Sequence, residues 1–303
     1  MATAKQYALI TAEFIKAVEA GTPPWHKPWT GEKARNGLTD RPYTGLNPFT
    51  LWAVAHRDGY ESAIWLTFKQ AKQLGGYVKK GARSTPVYFW KFDEVTVKDA
   101  EMNTVEKKRV PFLKISFVFN LDQTEGVTLP KRRNPQTFTG GTLEFEPMEA
   151  AQAIVDNYIA NGGPKLDHSG GDAAFYVPST DTIALPARQT FHSIDEYYST
   201  AFHELGHSTG HPSRENRFAV GEKTARFGSQ EYSKEELVAE FTSAFLAAES
   251  GIDTTRENSQ AYIAGWLRKI KEEPSILVTA AGKAQKAANR ILAATVVEDQ
   301  DNS

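Results

Sequence analysis

Apolar positions recur every three or four residues in the opening segment of the chain. Leu9, Ile10, Phe14 and Val18 share one side of a 3.6-residue period over residues 5–20, and Gly21 follows as a stop, so the pattern predicts an amphipathic helix. Residues 23–29, Pro-Pro-Trp-His-Lys-Pro-Trp, hold too many prolines for a helix and predict an ordered loop. Short helices are expected over 48–56 and 67–74, the second closed by Gly75-Gly76. Apolar and aromatic runs over 86–92 and 112–119 predict strands flanking a charged, hairpin-like insertion at 93–109. Residues 129–141 (Leu-Pro-Lys-Arg-Arg-Asn-Pro-Gln-Thr-Phe-Thr-Gly-Gly) have the composition of a linker. Beyond it the periodicity predicts a helix over 146–160 and an extended pair at 174–177 and 182–185. Helices are then expected near 194–209, 234–249, 259–271 and 279–294, before a polar tail at 298–303 expected to be disordered. The expected fold class is α+β with two domains, 1–138 and 139–303.

Charge sharpens that division. The net charge is only −2, but residues 1–138 hold 21 Lys+Arg against 13 Asp+Glu, leaving 14 against 24 for the rest: +8 beside −10. A basic half suits a polyanionic partner. The chain has no cysteine, so disulfides and thiolate ligands are excluded, and any bound metal must be held by His, Asp or Glu. No apolar run approaches the ~18–20 residues needed to span a bilayer. Glu13 and Lys16 interrupt the N-terminus before a secretory apolar core could form, so a cytoplasmic protein without a membrane partner is expected.

The acidic half contains His203-Glu204-Leu205-Gly206-His207, an H-E-x-x-H pattern. Ser193-Ile-Asp-Glu196 reads as a capping box opening its helix, and Gly210 marks the end. Two imidazoles four residues apart on one helical face can reach a single ion, and Glu204 is placed as general base, the catalytic carboxylate. The long variant of the motif would require His at 213, where the chain has Ser213; His211 is displaced and followed by Pro212. A carboxylate from a second helix is the expected third ligand. Glu235-Glu236-Leu237-Val238-Ala239-Glu240 is similar to the E-x-x-x-D element of gluzincins. On that reading Glu236 binds metal and Glu240 bonds a ligating histidine. The alternative makes Glu236 a capping partner of Ser233 and Glu240 the ligand. Two His, one Glu and an open position suit Zn2+, with Mn2+ or Ni2+ as substitutes.

The basic half interleaves aromatic, cationic and turn residues, the ingredients with which single-stranded nucleic acid is held by stacking and phosphate contact. Five of six tryptophans fall within the first 90 residues. Candidate contacts are Trp25, Lys27, Trp29, Arg35, Arg41, Tyr43, Trp65, Lys69, Lys79 and Lys80. No helix-turn-helix, zinc-finger or RNA-recognition signature points to sequence-specific readout.

Several of these segments, taken in order, resemble the ArdC-type antirestriction proteins of conjugative plasmids. The likeness runs through Pro24–Trp29, Tyr43-Thr-Gly-Leu-Asn47, Trp65–Ala71, Gly75–Gly81 and Val118–Gln123. It continues through Ala201–His211, Phe227-Gly-Ser229, Glu235–Glu240 and Ala261–Leu267. The first half also looks like the corresponding part of plasmid primases. The resemblance implies an N-terminal single-stranded-DNA-binding domain and a C-terminal zincin metallopeptidase-like domain. It further implies protection of incoming plasmid DNA from host restriction during conjugation, with a host restriction component as a second partner. A zinc metallopeptidase acting on a host protein, with DNA binding only for localisation, is the alternative function.

Overall fold

The computed structural model describes residues 2–21, 33–99, 104–130, 147–218, 230–252 and 260–293. Helix α1 (Ala4–Glu19) opens with a capping box in which Thr3 and Gln6 satisfy each other's backbone amides. Strand β1 (Arg35–Asn36) leads to helix α2 (Asn47–Asp58), closed by Gly59 in the left-handed region at φ 69°. Strand β2 (Ile64–Leu66), helix α3 (Phe68–Gln73) and strand β3 (Tyr77–Val78) follow. The long strands β4 (Thr85–Asp99) and β5 (Thr104–Asn120), then β6 (Thr124–Glu125), complete the first half.

The predicted insertion at 93–109 is a continuation of β4 and β5: the register runs unbroken from Thr85↔Val118 to Asp99↔Thr104. Its residues, such as Val95-Thr96-Val97 and Thr104-Val105, favour extended backbone, so the hairpin-like insertion extends the two strands. Sheet order is β1-β2-β5-β4, with β3 and β6 paired separately.

The second half contains α4 (Pro147–Ala160), β7 (Lys165–Asp167), β8 (Phe175–Val177) and β9 (Thr182–Ala184). Helices α5 (Ile194–Ser208), α6 (Gln230–Ser250), α7 (Gln260–Glu272) and α8 (Ser275–Ala293) complete the described chain. The small sheet has the order β7-β9-β8, leaving β8 at an edge. The architecture is mixed helix and sheet. No helix among the described residues is long and apolar enough to cross a membrane. Residues 131–141 of the expected linker at 129–141, and the tail at 298–303, lie outside the described residues.

One large apolar core joins the two halves. Ile10, Phe14 and Val18 of α1 are buried at helical spacing, while Leu9 points outward at 43% exposure. Phe14 meets Phe241 of α6 edge-on at 5.8 Å, and Phe49 of α2 lies 4.9 Å from both Phe241 and Phe245. The segment Tyr43–Asn47 ties this core to β4. The Asn47 amide donates to the Tyr88 carbonyl at 2.8 Å and accepts from the Tyr88 amide at 3.0 Å, while the Tyr88 hydroxyl accepts from Leu46 N–H. Burial pushes that phenol up to about 12. Gly45 passes over the same ring at φ 64°, where a Cβ would meet the hydroxyl at 2.7 Å. A smaller cluster of Ala34, Tyr43, Leu51, Val54, Trp65, Val87 and Val118 lies between α2 and the four-stranded sheet.

Candidate metal centre

Helix α5 starts where expected. The Ser193 hydroxyl accepts from Glu196 N–H at 3.1 Å, although the Glu196 carboxylate bonds His192 N–H rather than closing the box on Ser193. The helix packs on α6 through small residues. A Cβ on Gly206 would stand 3.0 Å from Ala239 Cα, and the Ser243 hydroxyl donates to the Ser199 carbonyl at 3.0 Å. This close crossing brings the His203/His207 face of α5 against the glutamates of α6.

At the crossing the Nε2 atoms of His203 and His207 are 3.0 Å apart. Glu236 spans them, with Oε2 at 3.5 Å from His203 Nε2 and Oε1 at 3.4 Å from His207 Nε2. Tetrahedral coordination at Zn–N distances of about 2.0–2.1 Å separates ligand atoms by about 3.3 Å, so the three donors already have the spacing of a coordination shell. Among the described residues they form the cluster able to hold an ion. Helix α6 begins at Gln230, which places Ser233 inside the helix rather than at its cap. Glu240 lies behind His203, its Oε1 3.3 Å from Nδ1. Glu204 is buried at 3% exposure.

Sequence reasoning missed two members. Glu235 approaches the far nitrogen of His207, Oε1 to Nδ1 at 3.7 Å. Arg217 grips Glu235 through Nε and Nη2, at 3.0 and 2.7 Å, and also donates to the Gly206 carbonyl and the Thr209 hydroxyl. Each histidine thus has its own carboxylate behind it. Glu235 could have been suspected from its place beside Glu236; nothing local singles out Arg217.

The electrostatics follow from this crowding. Burial alone would lower the His207 imidazolium, but Glu235, Glu236 and the nearby Glu204 outweigh it and push the group up to about 10. Burial would raise the Glu236 carboxyl, yet the two histidines hold it far below the usual carboxylate range. Glu235 is likewise held low, by His207 and Arg217 against its burial.

The fold treats the nucleic-acid candidates differently. Trp25, Lys27 and Trp29 lie outside the described residues. Trp65 and Tyr43 are core residues at 1% and 6% exposure, so neither presents a ring face to a base. Both stand near cations in the sequence, but their side chains point into the small cluster under the sheet. Arg35 pairs with Asp40 at 3.2 Å, while Arg41 and Lys69 are exposed. Lys79 and Lys80 do come together, lining a cavity of about 450 Å³ with Asp58, Tyr60, Arg83 and Asp122. Within it the Lys79 ammonium donates to the Asp122 carbonyl at 2.9 Å.

Residues 4–119 match the family described as the N-terminal domain of anti-restriction factor ArdC, and residues 153–283 match the zincin-like metallopeptidase family. The metal-free structure of the antirestriction protein ArdC from the R388 plasmid is 35% identical with a TM-score of 0.72, covering 95% of this chain and 97% of that one. The chain belongs to the ArdC antirestriction family.

The Mn(II)-bound form of the R388 ArdC protein gives a TM-score of 0.74 at 33% identity, over 97% of this chain and 99% of that one. Two DNA primase TraC proteins of Escherichia coli are each 36% identical over 94% and 95% of this chain. The chain spans only 27% and 20% of their length. The uncharacterized protein y4eC of Sinorhizobium fredii is 32% identical, with 93% of this chain and 90% of that protein aligned. Divalent-metal binding accompanies the family: its second domain is zincin-like, a relative is solved with Mn(II), and this ArdC-family chain brings three donors within coordinating reach.

Proposed function

We propose that this antirestriction protein binds single-stranded DNA through its basic N-terminal half. On this reading it protects plasmid DNA entering a recipient by conjugation from host restriction, in the cytoplasm. Its C-terminal half holds a catalytic divalent ion through His203, His207 and Glu236. The observation that carries the metal assignment is the three-donor spacing of 3.0–3.5 Å, with a separate carboxylate behind each imidazole. A divalent ion held there would act as Lewis acid and activate water for attack on a carbonyl. Glu204 takes up the proton, Glu236 completes the donor set, and Glu240 and Glu235 hold the two rings in orientation. Zinc is the preferred ion, with manganese or nickel able to take its place.

The DNA assignment rests on the charge excess of residues 1–138 and on the antirestriction-domain match. Anisotropy titration of the whole chain against labelled single strand and duplex, at two salt concentrations, tests it directly. Preference for the single strand and weakening with salt are expected; equal affinity for both at high salt contradicts it.

The buried Glu204 beside an ion-ready cluster favours a second reading, in which a host restriction component is cleaved and DNA binding only localises the protein. Glu204→Ala separates the two. This variant should keep its metal, and if it protects an incoming plasmid as well as wild type, proteolysis is not the mechanism.

A further inference from the structure

The stretch Phe89-Trp90-Lys91-Phe92 breaks the alternation of a half-buried strand, and three of its rings are exposed: Phe89 at 42%, Trp90 at 45% and Phe92 at 56%. In an antiparallel pair, residues directly opposite share a face. On one face Phe89 stands opposite Lys114 and Lys91 opposite Phe112, a diagonal arrangement of two rings and two ammonium groups. Both lysines are exposed and Phe112 is half-buried. Inward on the same face, Val87 and Val118 enter the small core, and Phe89 lies against the buried Tyr43 ring at 6.3 Å, which holds the platform in place. The opposite face carries Trp90, Phe92, Pro111 and Phe117 and, between residues 86 and 92 and between 111 and 117, no charged side chain.

We propose that the Phe89–Lys91–Phe112–Lys114 face of the hairpin is the surface on which bases of single-stranded DNA stack. The proposal rests on the DNA-binding reading above and places the stacking surface on residues outside the sequence candidates. Aromatic faces stack on any base, and ammonium groups beside them meet the phosphates, which is the chemistry of sequence-tolerant single-strand binding. Charge argues for this occupant over a second copy of the chain. Pairing of this face with its own copy would set Lys91 and Lys114 against like charges, whereas a polyanion neutralises them.

The test uses the full chain and a labelled oligothymidylate, with affinity followed by anisotropy across a salt series. Replacing Lys91 and Lys114 together by alanine should lower the magnitude of the log K against log salt slope by about 1.4, since each single-strand phosphate contact contributes about 0.7. Phe89→Ala should weaken binding roughly five- to a hundredfold, the range for loss of one stacked base. Phe92→Ala, on the opposite face, should bind as wild type does. Thermal melting and Mn(II) affinity check that each variant is folded; if Phe89→Ala melts early, the lysine pair carries the test alone.

Wild-type affinity and slope in the lysine pair, or a loss confined to Phe92→Ala, overturns the surface while leaving DNA binding intact. A wild-type chain that does not bind the oligonucleotide overturns the DNA-binding reading, and this surface with it. A dimer in solution that dissociates on Phe89→Ala also overturns the proposal, because the face is then a protein interface.

Discussion

Two imidazole nitrogens 3.0 Å apart set their lone pairs against each other unless a proton or a cation lies between them. In the metal-free chain a proton on His207 serves, stabilised by three surrounding glutamates up to about 10. The sign of the pH dependence follows. A raised histidine stabilises the metal-free fold fully below the ordinary value near 6.5, and that contribution is lost as pH rises through about 10. Metal affinity runs the other way, because the ion must displace that proton. Between pH 7 and 9 the affinity for Zn2+ or Mn2+ should rise about tenfold per unit. Calorimetry in buffers of different ionisation enthalpy should find close to one proton released per ion. An affinity flat across that range would show that His207 is already neutral there and that its carboxylates do not hold a proton on it. The pair behind this ring makes a second prediction. Glu235→Gln, or Arg217→Ala, should weaken metal binding roughly ten- to hundredfold with all three ligands unchanged, as loss of an orienting partner does elsewhere. The His203/Glu204/His207 group was legible because its geometry is set by one helix, where spacing in sequence is spacing in space. Glu235 and Arg217 were not, because they reach His207 only after α5 and α6 have crossed and the chain beyond α5 has turned back.

At the scale of elements, the crossing of α5 on α6 depends on the glycine inside the metal motif. Gly206→Ala would gain up to about 1 kcal/mol in helix propensity. Its methyl would meet Ala239 Cα at 3.0 Å and Thr242 Cβ at 3.1 Å, tighter than most packed methyl contacts, so α6 would have to give by a few tenths of an ångström. Overpacking of this kind costs about 1–3 kcal/mol, so the variant should melt several degrees lower and bind metal more weakly; a raised melting temperature contradicts the close crossing. The strand pair beside α5 has its own fastening. Arg214 donates to both Asp181 oxygens, to the Tyr176 hydroxyl and, at 2.8 Å, to the carbonyl of Ser208 at the end of α5. Burial would raise the Asp181 carboxyl, but Arg214 and Tyr176 hold it below its usual range. That contribution is present above pH ~3.9 and lost as pH falls through the lowered value. Asp181→Asn should cost about 1–3 kcal/mol at neutral pH, and the difference from wild type should shrink in acid melts. Strands β8 and β9 could be read from apolar runs, but not the arginine that binds them to the helix. The hairpin at 93–109 was legible from the two flanking apolar runs, but its continuous pairing from Thr85 to Asp99 was not, because the charged residues between those runs offer no apolar alternation to follow.

Over the whole molecule, the two family matches end at residue 119 and begin again at 153, as separate units of sequence. The apolar core is not divided there. Helices α1 and α2 belong to the first match, yet Phe14 and Phe49 pack on Phe241 and Phe245 of α6, and Gly45 N–H donates to Gln285 of α8. The stripe on α1 was legible from its period, but a period names a buried face without naming what buries it, and the charge contrast suggested independent halves. A fragment of residues 1–138 would lose the α6 surface against which both phenylalanines lie. Burying two such rings is worth roughly 3–6 kcal/mol, a large part of the 5–15 kcal/mol that typically holds a domain together. The isolated fragment should therefore melt without a cooperative transition, and mixing it with residues 139–303 should restore one, as followed by circular dichroism. A sharp, reversible melt of the fragment alone would show that the shared core is dispensable. In its absence, DNA binding and metal binding have to be measured on the intact chain, where loss of the ion can loosen α5 and α6 and, through Phe241 and Phe245, the helices that support the basic half.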